Sequence, residues 1–367
     1  MRYNWQQPDW PNFRYDLTAA SAGLLAFAEH SGRVDGLLEG LPEGLEVEAV
    51  LDLMIAEAIK SSAIEGENLE RAAVLSSIRN RLGLNPEFQP VKDRMADGAG
   101  ELMVAVRNTF TEPLSEETLF SWHRMLLSGT RGIRVGGWRE GGDPMQVVSG
   151  RIDNPTVHFE APPSDTVPSE MTRYIEWFNR TAPGGETPIT HAPVRSAIAH
   201  LYFESLHPFE DGNGRIGRAI TEKALSQGLG RPAVLSLSRT IEAGRNAYYD
   251  ALKTSQAHNE ITDWITWFTG TVLQAQLDAE FQILFVLKKS KFFQRFEGQL
   301  NTRQLKVIHR MFEAGPEGFQ GGMNARKYVA LTGASKATAT RDLQHLAQIG
   351  ALVPIGGGRS TRYEPAL

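Results

Sequence analysis

The chain has 367 residues, with 38 lysines and arginines against 43 aspartates and glutamates, a net charge of -5 and 41% hydrophobic residues. That is ordinary globular composition with room for two or three domains, and it excludes a fibrous or largely disordered chain and argues against wholesale non-specific nucleic-acid binding. With no cysteine, disulfides, thiolate nucleophiles and cysteine metal sites are excluded, and the absence of a signal-peptide core or a bilayer-length apolar run makes a soluble, cytoplasmic protein without membrane attachment the expectation.

The apolar periodicity is overwhelmingly helical. Runs 45–64, 95–109, 116–127, 169–179 and 192–206 each place apolar residues at helical spacing. The last is dense enough in apolar residues to be a buried central helix. Between Gly132 and Pro163 glycines, prolines and two short alternating runs predict a β-hairpin turning around 150–154. A hairpin alone among helices is marginal unless it packs on something or binds something. A further helix is expected from Asp263 to about Phe296. Three helices then follow (302–314, 325–332 and 335–348), with a strand, a glycine-rich tip at Gly356 and a second strand. That order is the signature of a winged helix-turn-helix. Ser335, Lys336, Thr338, Thr340 and Arg341 fall on its expected recognition helix, and Arg359 and Arg362 on its wing.

The chemistry concentrates in 207–218, which reads His-Pro-Phe-Glu-Asp-Gly-Asn-Gly-Arg-Ile-Gly-Arg. Gly212 to Gly217 matches G-x-G-x-x-G, yet a helix-like run precedes it and no strand–helix–strand alternation surrounds it, so a dinucleotide fold is rejected. A phosphate site of another design remains. Gly212, Asn213 and Gly214 let successive N–H groups converge on an anion, and a helix beginning at Gly214 adds its N-terminal donors and dipole. Arg215 and Arg218 share one helical face and suit a polyphosphate. Asp211 is placed to hold a divalent cation, and His207 can serve as a general base. His191 and His200 fit no transition-metal spacing and read as structural histidines.

This window resembles the Fic family motif H-x-F-x-[D/E]-G-N-G-R-x-x-R, which His207, Phe209, Asp211, Gly212, Asn213, Gly214, Arg215 and Arg218 all satisfy. The resemblance covers roughly 95–269. It implies a helical Fic core and transfer of AMP from ATP to a Ser, Thr or Tyr hydroxyl of a protein target, this chain included. His207 would deprotonate the hydroxyl, and Asp211 would hold Mg2+ as cofactor. The nucleotide would lie on Asp211, Gly212, Asn213, Gly214, Arg215, Ile216, Gly217 and Arg218. The hairpin 145–163 resembles the family's target-aligning flap, with His158, Phe159, Glu160 and Ala161 near the nucleotide. Tyr248, Tyr249 and Gln256 resemble residues flanking the adenine.

The segment Ser61-Ser-Ala-Ile-Glu65-Gly66 resembles the family's inhibitory motif [S/T]-x-x-x-E-[G/N]. It implies that Ser61, Glu65 and Gly66 form a brake, with the Glu65 carboxylate pairing with Arg218 against the γ-phosphate. In some relatives the same glutamate helps remove AMP, so the resemblance also implies a reverse, AMP-removing activity for this chain. The expected organisation is mostly α: an N-terminal helical region 1–94 carrying the brake, a Fic core 95–290 with its hairpin flap, and a winged helix-turn-helix 291–367. A homodimer and DNA binding through the winged helix are further expectations. A competing reading is a DNA-binding regulator whose quiet Fic core senses ATP. A third keeps the enzyme and changes the donor to UTP, CDP-choline or a whole phosphate.

Overall fold

A computed structural model describes residues 3–42, 44–151 and 154–367, and the side chains of 149–151, 154, 155 and 359 lie outside the description. The hairpin turn expected around 150–154 and the wing residue Arg359 therefore fall partly or wholly outside it. The helices α1 (Ser21–Glu39), α2 (Leu45–Ile64), α3 (Arg71–Arg81), α4 (Arg94–Asn108) and α5 (Glu116–Leu127) come first. An antiparallel hairpin follows, β1 (Gln146–Arg151) with β2 (Asn154–Glu160), its register shifted between Val147 and Val148. Next come α6 (Val167–Arg180), α7 (Ala192–Leu206), α8 (Asn213–Leu229), α9 (Leu237–Ala243) and α10 (Arg245–Ser255). The chain ends with α11 (Thr262–Arg295), α12 (Thr302–Phe312), α13 (Ala325–Thr332), α14 (Lys336–Gln348) and the hairpin β3 (Leu352–Ile355) with β4 (Arg362–Pro365). The chain is mostly α, as its periodicity predicts. Among the described residues no helix is long and apolar enough to cross a membrane.

Two compact units form. One comprises 1–32 and 50–277, the other 33–49 and 278–367. In the first, α7 is the central helix, with all fifteen residues from Ala192 to Leu206 buried and Pro193 in its first turn, where no N–H is needed. It packs on α8, and the core between them continues into α4, α5 and α6 through Leu102, Leu119, Trp122, Tyr174 and Phe178. α5 starts where the sequence places it because the Ser115 side chain accepts the Thr118 N–H and Glu116 and Glu117 face the helix dipole. The hydrophobic effect thus fixes the long α7–α8 pair, and the short link between them must turn within six residues. That link, 207–212, opens the motif window.

The second unit holds the winged helix-turn-helix order. Asn301, Asn324 and Ser335 cap α12, α13 and α14, and Val307, Ile308, Tyr328, Leu343 and Leu346 close a small core. Ser335 is the cap rather than the first residue of its helix. Met323 pairs with Tyr363 beside the β3–β4 hairpin. Lys336, Arg341 and Arg362 are exposed, whereas the Thr338 and Thr340 hydroxyls are engaged with Ser335 and the Lys336 carbonyl of their own helix.

Candidate active site

α7 stops at His207, which adopts a left-handed conformation (φ 47°, ψ 58°) and is the sole described non-glycine residue at positive φ. Such a position costs a non-glycine residue energy and persists where surroundings over-determine it. Arg139 supplies much of that constraint. Its Nε donates to the His207 carbonyl at 2.8 Å, its Nη1 to Ser164 Oγ at 2.7 Å and its Nη2 to the Pro162 carbonyl at 2.5 Å, while its N–H donates to the Pro208 carbonyl at 2.9 Å. One buried guanidinium therefore ties the turn to the segment leaving the hairpin. Burial pushes its pKa down to about 10.

Phe209 is fully buried and anchors the turn from below. It stacks on His123 with centroids 4.1 Å apart and touches Trp138 at 5.2 Å; burying such a ring is worth roughly 2–3 kcal/mol. Asn213 staples the loop to itself, accepting the Phe209 N–H through Oδ1 (2.9 Å) and donating to the Phe209 carbonyl through Nδ2 (2.8 Å). His123 accepts the Gly136 N–H on Nδ1 at 2.8 Å, so its proton lies on Nε2, which donates to the Asp211 carbonyl at 3.0 Å. Burial, first of several causes, holds His123 below the ordinary imidazole range and so neutral.

α8 begins one residue earlier than the sequence suggests, at Asn213, because Gly212 takes the left-handed cap (φ 80°). Its first intrahelical bond runs from the Ile216 N–H to the Gly212 carbonyl, which leaves the N–H groups of Asn213, Gly214 and Arg215 at the helix mouth without an intrahelical acceptor. A pocket of about 180 Å3 opens there, lined by Glu65, Gln146, Val147, His207, Glu210, Asp211, Gly212, Asn213 and Gly214. The hairpin wall of this pocket is β1. His158, Phe159, Glu160 and Ala161 lie along β2 and just after it and are not among its lining residues. Phe159 is buried edge-on against Tyr3, and the Glu160 carbonyl accepts the Trp5 indole N–H. Burial draws Phe159 inward because alternate residues of a strand face opposite sides.

Both motif arginines are buried and paired with carboxylates from the end of α2. Arg218 donates to Ser61 Oγ (2.9 Å), the Ser61 carbonyl (2.8 Å) and Glu65 Oε1 (2.9 Å). Arg215 meets Glu67 Oε2 at 2.5 Å and lies 3.7 Å from Asp211 Oδ1. Burial opposes the charge on Arg218, and Glu65 with Tyr248 and Glu204 together more than offset it, so its pKa is raised. A Cβ on Gly214 would stand 2.2 Å from Glu65 Oε1, so glycine alone lets that carboxylate lie against the start of α8. Gly66 turns the chain away at φ 87°. Glu65 thus occupies the position where anions favour a helix N-terminus. Glu67, two residues on, carries no sequence signal of its own.

The remaining residues are not among those lining the pocket. Tyr248 is buried and its hydroxyl meets His200 Nε2 at 2.8 Å. The Thr221 hydroxyl donates to the Gly217 carbonyl, so it accepts from His200 Nδ1, and Nε2 then accepts from Tyr248. Burial pushes His200 down to about 3 and keeps it neutral, as a structural histidine. Tyr249 is exposed, 3.5 Å from the Ile64 carbonyl through its hydroxyl. Gln256 is buried, donating to the Glu204 carbonyl and accepting the Asn4 N–H. Ile216 and Gly217 face inward along α8. Among the described residues no cluster of three or more His, Asp or Glu side chains is arranged to hold a metal.

Three stretches of the chain match known domain families. Residues 113–225 match the Fic/DOC family. This chain carries a Fic/DOC domain. Residues 3–84 match a domain of unknown function (DUF4172), and 321–366 match the C-terminal domain of a DIP2311-like transcriptional regulator. A protein adenylyltransferase Fic from Nematostella vectensis is 21% identical over 234 residues, 63% of this chain and 49% of that protein. A probable protein adenylyltransferase from Aquifex aeolicus is 34% identical over 95 residues, 26% of this chain and 28% of that protein. The chain therefore spans half or less of the length of these relatives. Among solved structures, a Fic family protein from Desulfovibrio desulfuricans superposes with a TM-score of 0.57 at 20% identity, covering 97% of this chain and 98% of that one. A Fic-domain signalling protein from Bacteroides thetaiotaomicron gives 0.55 at 17% identity over 72% of this chain and 97% of that one. These likenesses establish the Fic fold, here joined to a regulator-like C-terminal domain.

Proposed function

We propose that the chain is a protein adenylyltransferase held at rest by its own carboxylates. The observation that carries this reading is one pocket lined by a constrained histidine, the mouth of α8 and Glu65, with Glu65 holding buried Arg218 and with buried Arg215 held by Glu67 next to Asp211. In the working state the triphosphate takes the places of Glu65 and Glu67 on Arg218 and Arg215, because phosphate oxygens match a guanidinium fork as carboxylates do. The acceptor is a Ser, Thr or Tyr hydroxyl of another protein or of this chain. His207 takes the hydroxyl proton as the oxygen attacks the α-phosphorus, and the bond to pyrophosphate breaks. The α8 mouth and the two guanidiniums spread the developing charge.

The residues fit Mg2+. Asp211 keeps a side chain 54% exposed beside the pocket, and this ion takes one or two carboxylates together with substrate phosphates. Bound there, it would neutralise charge on the phosphates. With Glu65 on Arg218, ATP binds with its phosphates displaced and the reaction stops.

Labelled AMP incorporation from ATP and Mg2+ tests the reading. Glu65→Gly is expected to raise it over the wild type, and adding His207→Ala to abolish it; equal incorporation in all three proteins would overturn it. The match of 321–366 to a regulator domain supports a second role, DNA contact through Lys336, Arg341 and Arg362. A salt-dependent mobility shift lost in Arg341→Ala would support that role, and no shift at low salt would oppose it.

A further inference from the structure

The left-handed turn at His207 leaves its imidazole in an unusual position. Nδ1 is buried and makes no hydrogen bond of ordinary geometry, with the backbone carbonyl of Glu204 close enough to raise the ring's pKa. One turn earlier on the same helix, Glu204 brings Oε2 to 3.8 Å from that nitrogen, with only 7% of its side chain exposed. Oε1 of the same carboxyl is also buried and unpartnered. Two complementary orphan groups at adjacent positions are rare in a folded interior, where buried polar atoms are nearly always satisfied. The fold also makes room for this carboxyl: a Cβ on Gly217 of α8 would stand 2.5 Å from Oε1. Catalytic hydrogen bonds are commonly long in resting structures and tighten when substrate binds.

We propose that Glu204 is the positioning residue of His207, its carboxylate accepting the Nδ1 proton and so leaving the Nε2 lone pair to take the proton of the acceptor hydroxyl. The proposal rests on the adenylyl-transfer reading above. During the reaction the hydroxyl proton moves to Nε2, the imidazolium keeps its Nδ1 proton, and Glu204 stabilises the new charge without being protonated itself. A protonated Glu204 does the reverse: its O–H donates to Nδ1 and fixes the ring proton on Nε2, where it blocks the base.

The resting surroundings favour that blocked arrangement. Burial first and the Glu65 carboxylate second push Glu204 up to about 8, with Arg218 acting the other way. Burial and Arg139 lower the pKa of the His207 ring, while Glu65, Asp211 and the Glu204 carbonyl raise it. Tyr248 stands near the same carboxyl. Glu65 therefore acts at a second point: besides holding Arg218, its charge adds to burial in favouring protonated Glu204. Its withdrawal favours ionised Glu204 and the productive tautomer of His207.

Two measurements on the full chain test this. The first follows AMP incorporation against pH in the Glu65→Gly protein and in the same protein with Glu204→Gln. Glu204→Gln is expected to lower kcat on the order of 100-fold, to remove the acid limb of the profile near neutral pH, and to leave the KM for ATP within about three-fold, or less than 1 kcal/mol. An unchanged profile would overturn the proposal, as would a loss carried wholly by KM, which would make Glu204 a partner of Arg218 instead. The second is nitrogen NMR of labelled histidine in the wild type and in Glu204→Gln, with thermal melting to confirm folding. The His207 ring proton is expected to pass from Nε2 to Nδ1 as pH rises in the wild type, and to show no such passage in the variant. A tautomer that ignores pH in the wild type would overturn the proposal. This second measurement stands even if the Glu65→Gly parent labels nothing, an outcome that counts against the adenylyl-transfer reading alone.

Discussion

Replacing Glu65 with glutamine removes a charge while keeping the shape of the side chain, and its effect on ATP binding can be worked from the pair it breaks. Arg218 is 1% exposed and Glu65 31%. Breaking a fully buried pair costs about 3–5 kcal/mol; the partial exposure of Glu65 and the two bonds that Ser61 retains with Arg218 reduce this to roughly 1–3 kcal/mol. ATP must displace that carboxylate to reach Arg218, so Glu65→Gln should tighten ATP binding by roughly 5- to 150-fold at 1.4 kcal/mol per decade. ADP lacks the γ-phosphate and should gain far less. Glu67→Gln frees Arg215, whose side chain is 4% exposed against 26% for Glu67, and should give a similar but smaller gain. Without nucleotide each variant should melt a few degrees lower, about what roughly 1–2 kcal/mol moves a domain of this size, and ATP should restore the loss. Isothermal titration calorimetry with ATP and ADP, alongside melting, measures all of this. Equal gains for ATP and ADP, or no gain, would refute the claim that these carboxylates stand in the place of phosphates.

Two further outcomes follow from the same geometry. Arg139→Lys keeps a charge but cannot serve the carbonyls of Pro162 and His207 together with Ser164; it should cost about 2–4 kcal/mol by leaving buried acceptors unpaired, and depress AMP incorporation more than ATP affinity. Unchanged melting and labelling would contradict the role given to Arg139. The neutral buried histidines predict acid lability. His200, at about 3 in the folded chain against 6.5 unfolded, binds fewer protons folded, so its contribution to stability rises with pH across that window and is lost as pH falls, by on the order of 5 kcal/mol; His207, at about 4, adds in the same direction. Glu204 and Glu222, both pushed up to about 8 by burial, act the opposite way over the same window, so the His200 contribution is read as a difference. Between about pH 7 and pH 4.5, urea unfolding of His200→Gln should lose less stability than the wild type, and an equal slope in the variant would count against this cause.

What the sequence made legible was local. The window 207–218 holds His207, Asp211, Gly212, Gly214 and both arginines within one turn and one helix start, so spacing alone grouped them, and α2, α5 and α7 show their bounds because their apolar faces are unbroken. α1 escaped notice since Gly23, Gly32 and Gly36 read as interruptions, and α3, α9 and α10 are short and polar. The residues that build the site from a distance were not legible at all. Arg139 reaches the His207 carbonyl, His123 the Asp211 carbonyl and Glu67 the Arg215 guanidinium across 68, 88 and 148 positions, and no local pattern encodes such pairs. Residue type at Tyr248 and along 158–161 says nothing about which face burial claims, and both Tyr248 and Phe159 are buried.

The central claim is transfer of the adenylyl group, and the most direct measurement is intact-protein mass spectrometry of the Glu65→Gly chain after incubation with Mg2+ and ATP, with parallel samples carrying heavy label in the α- or the γ-phosphate. The account predicts an adduct of AMP mass on this chain or an added target, carrying the α-label, lacking the γ-label, and absent when His207→Ala is included. An adduct bearing the γ-label, or one that persists without His207, would contradict it.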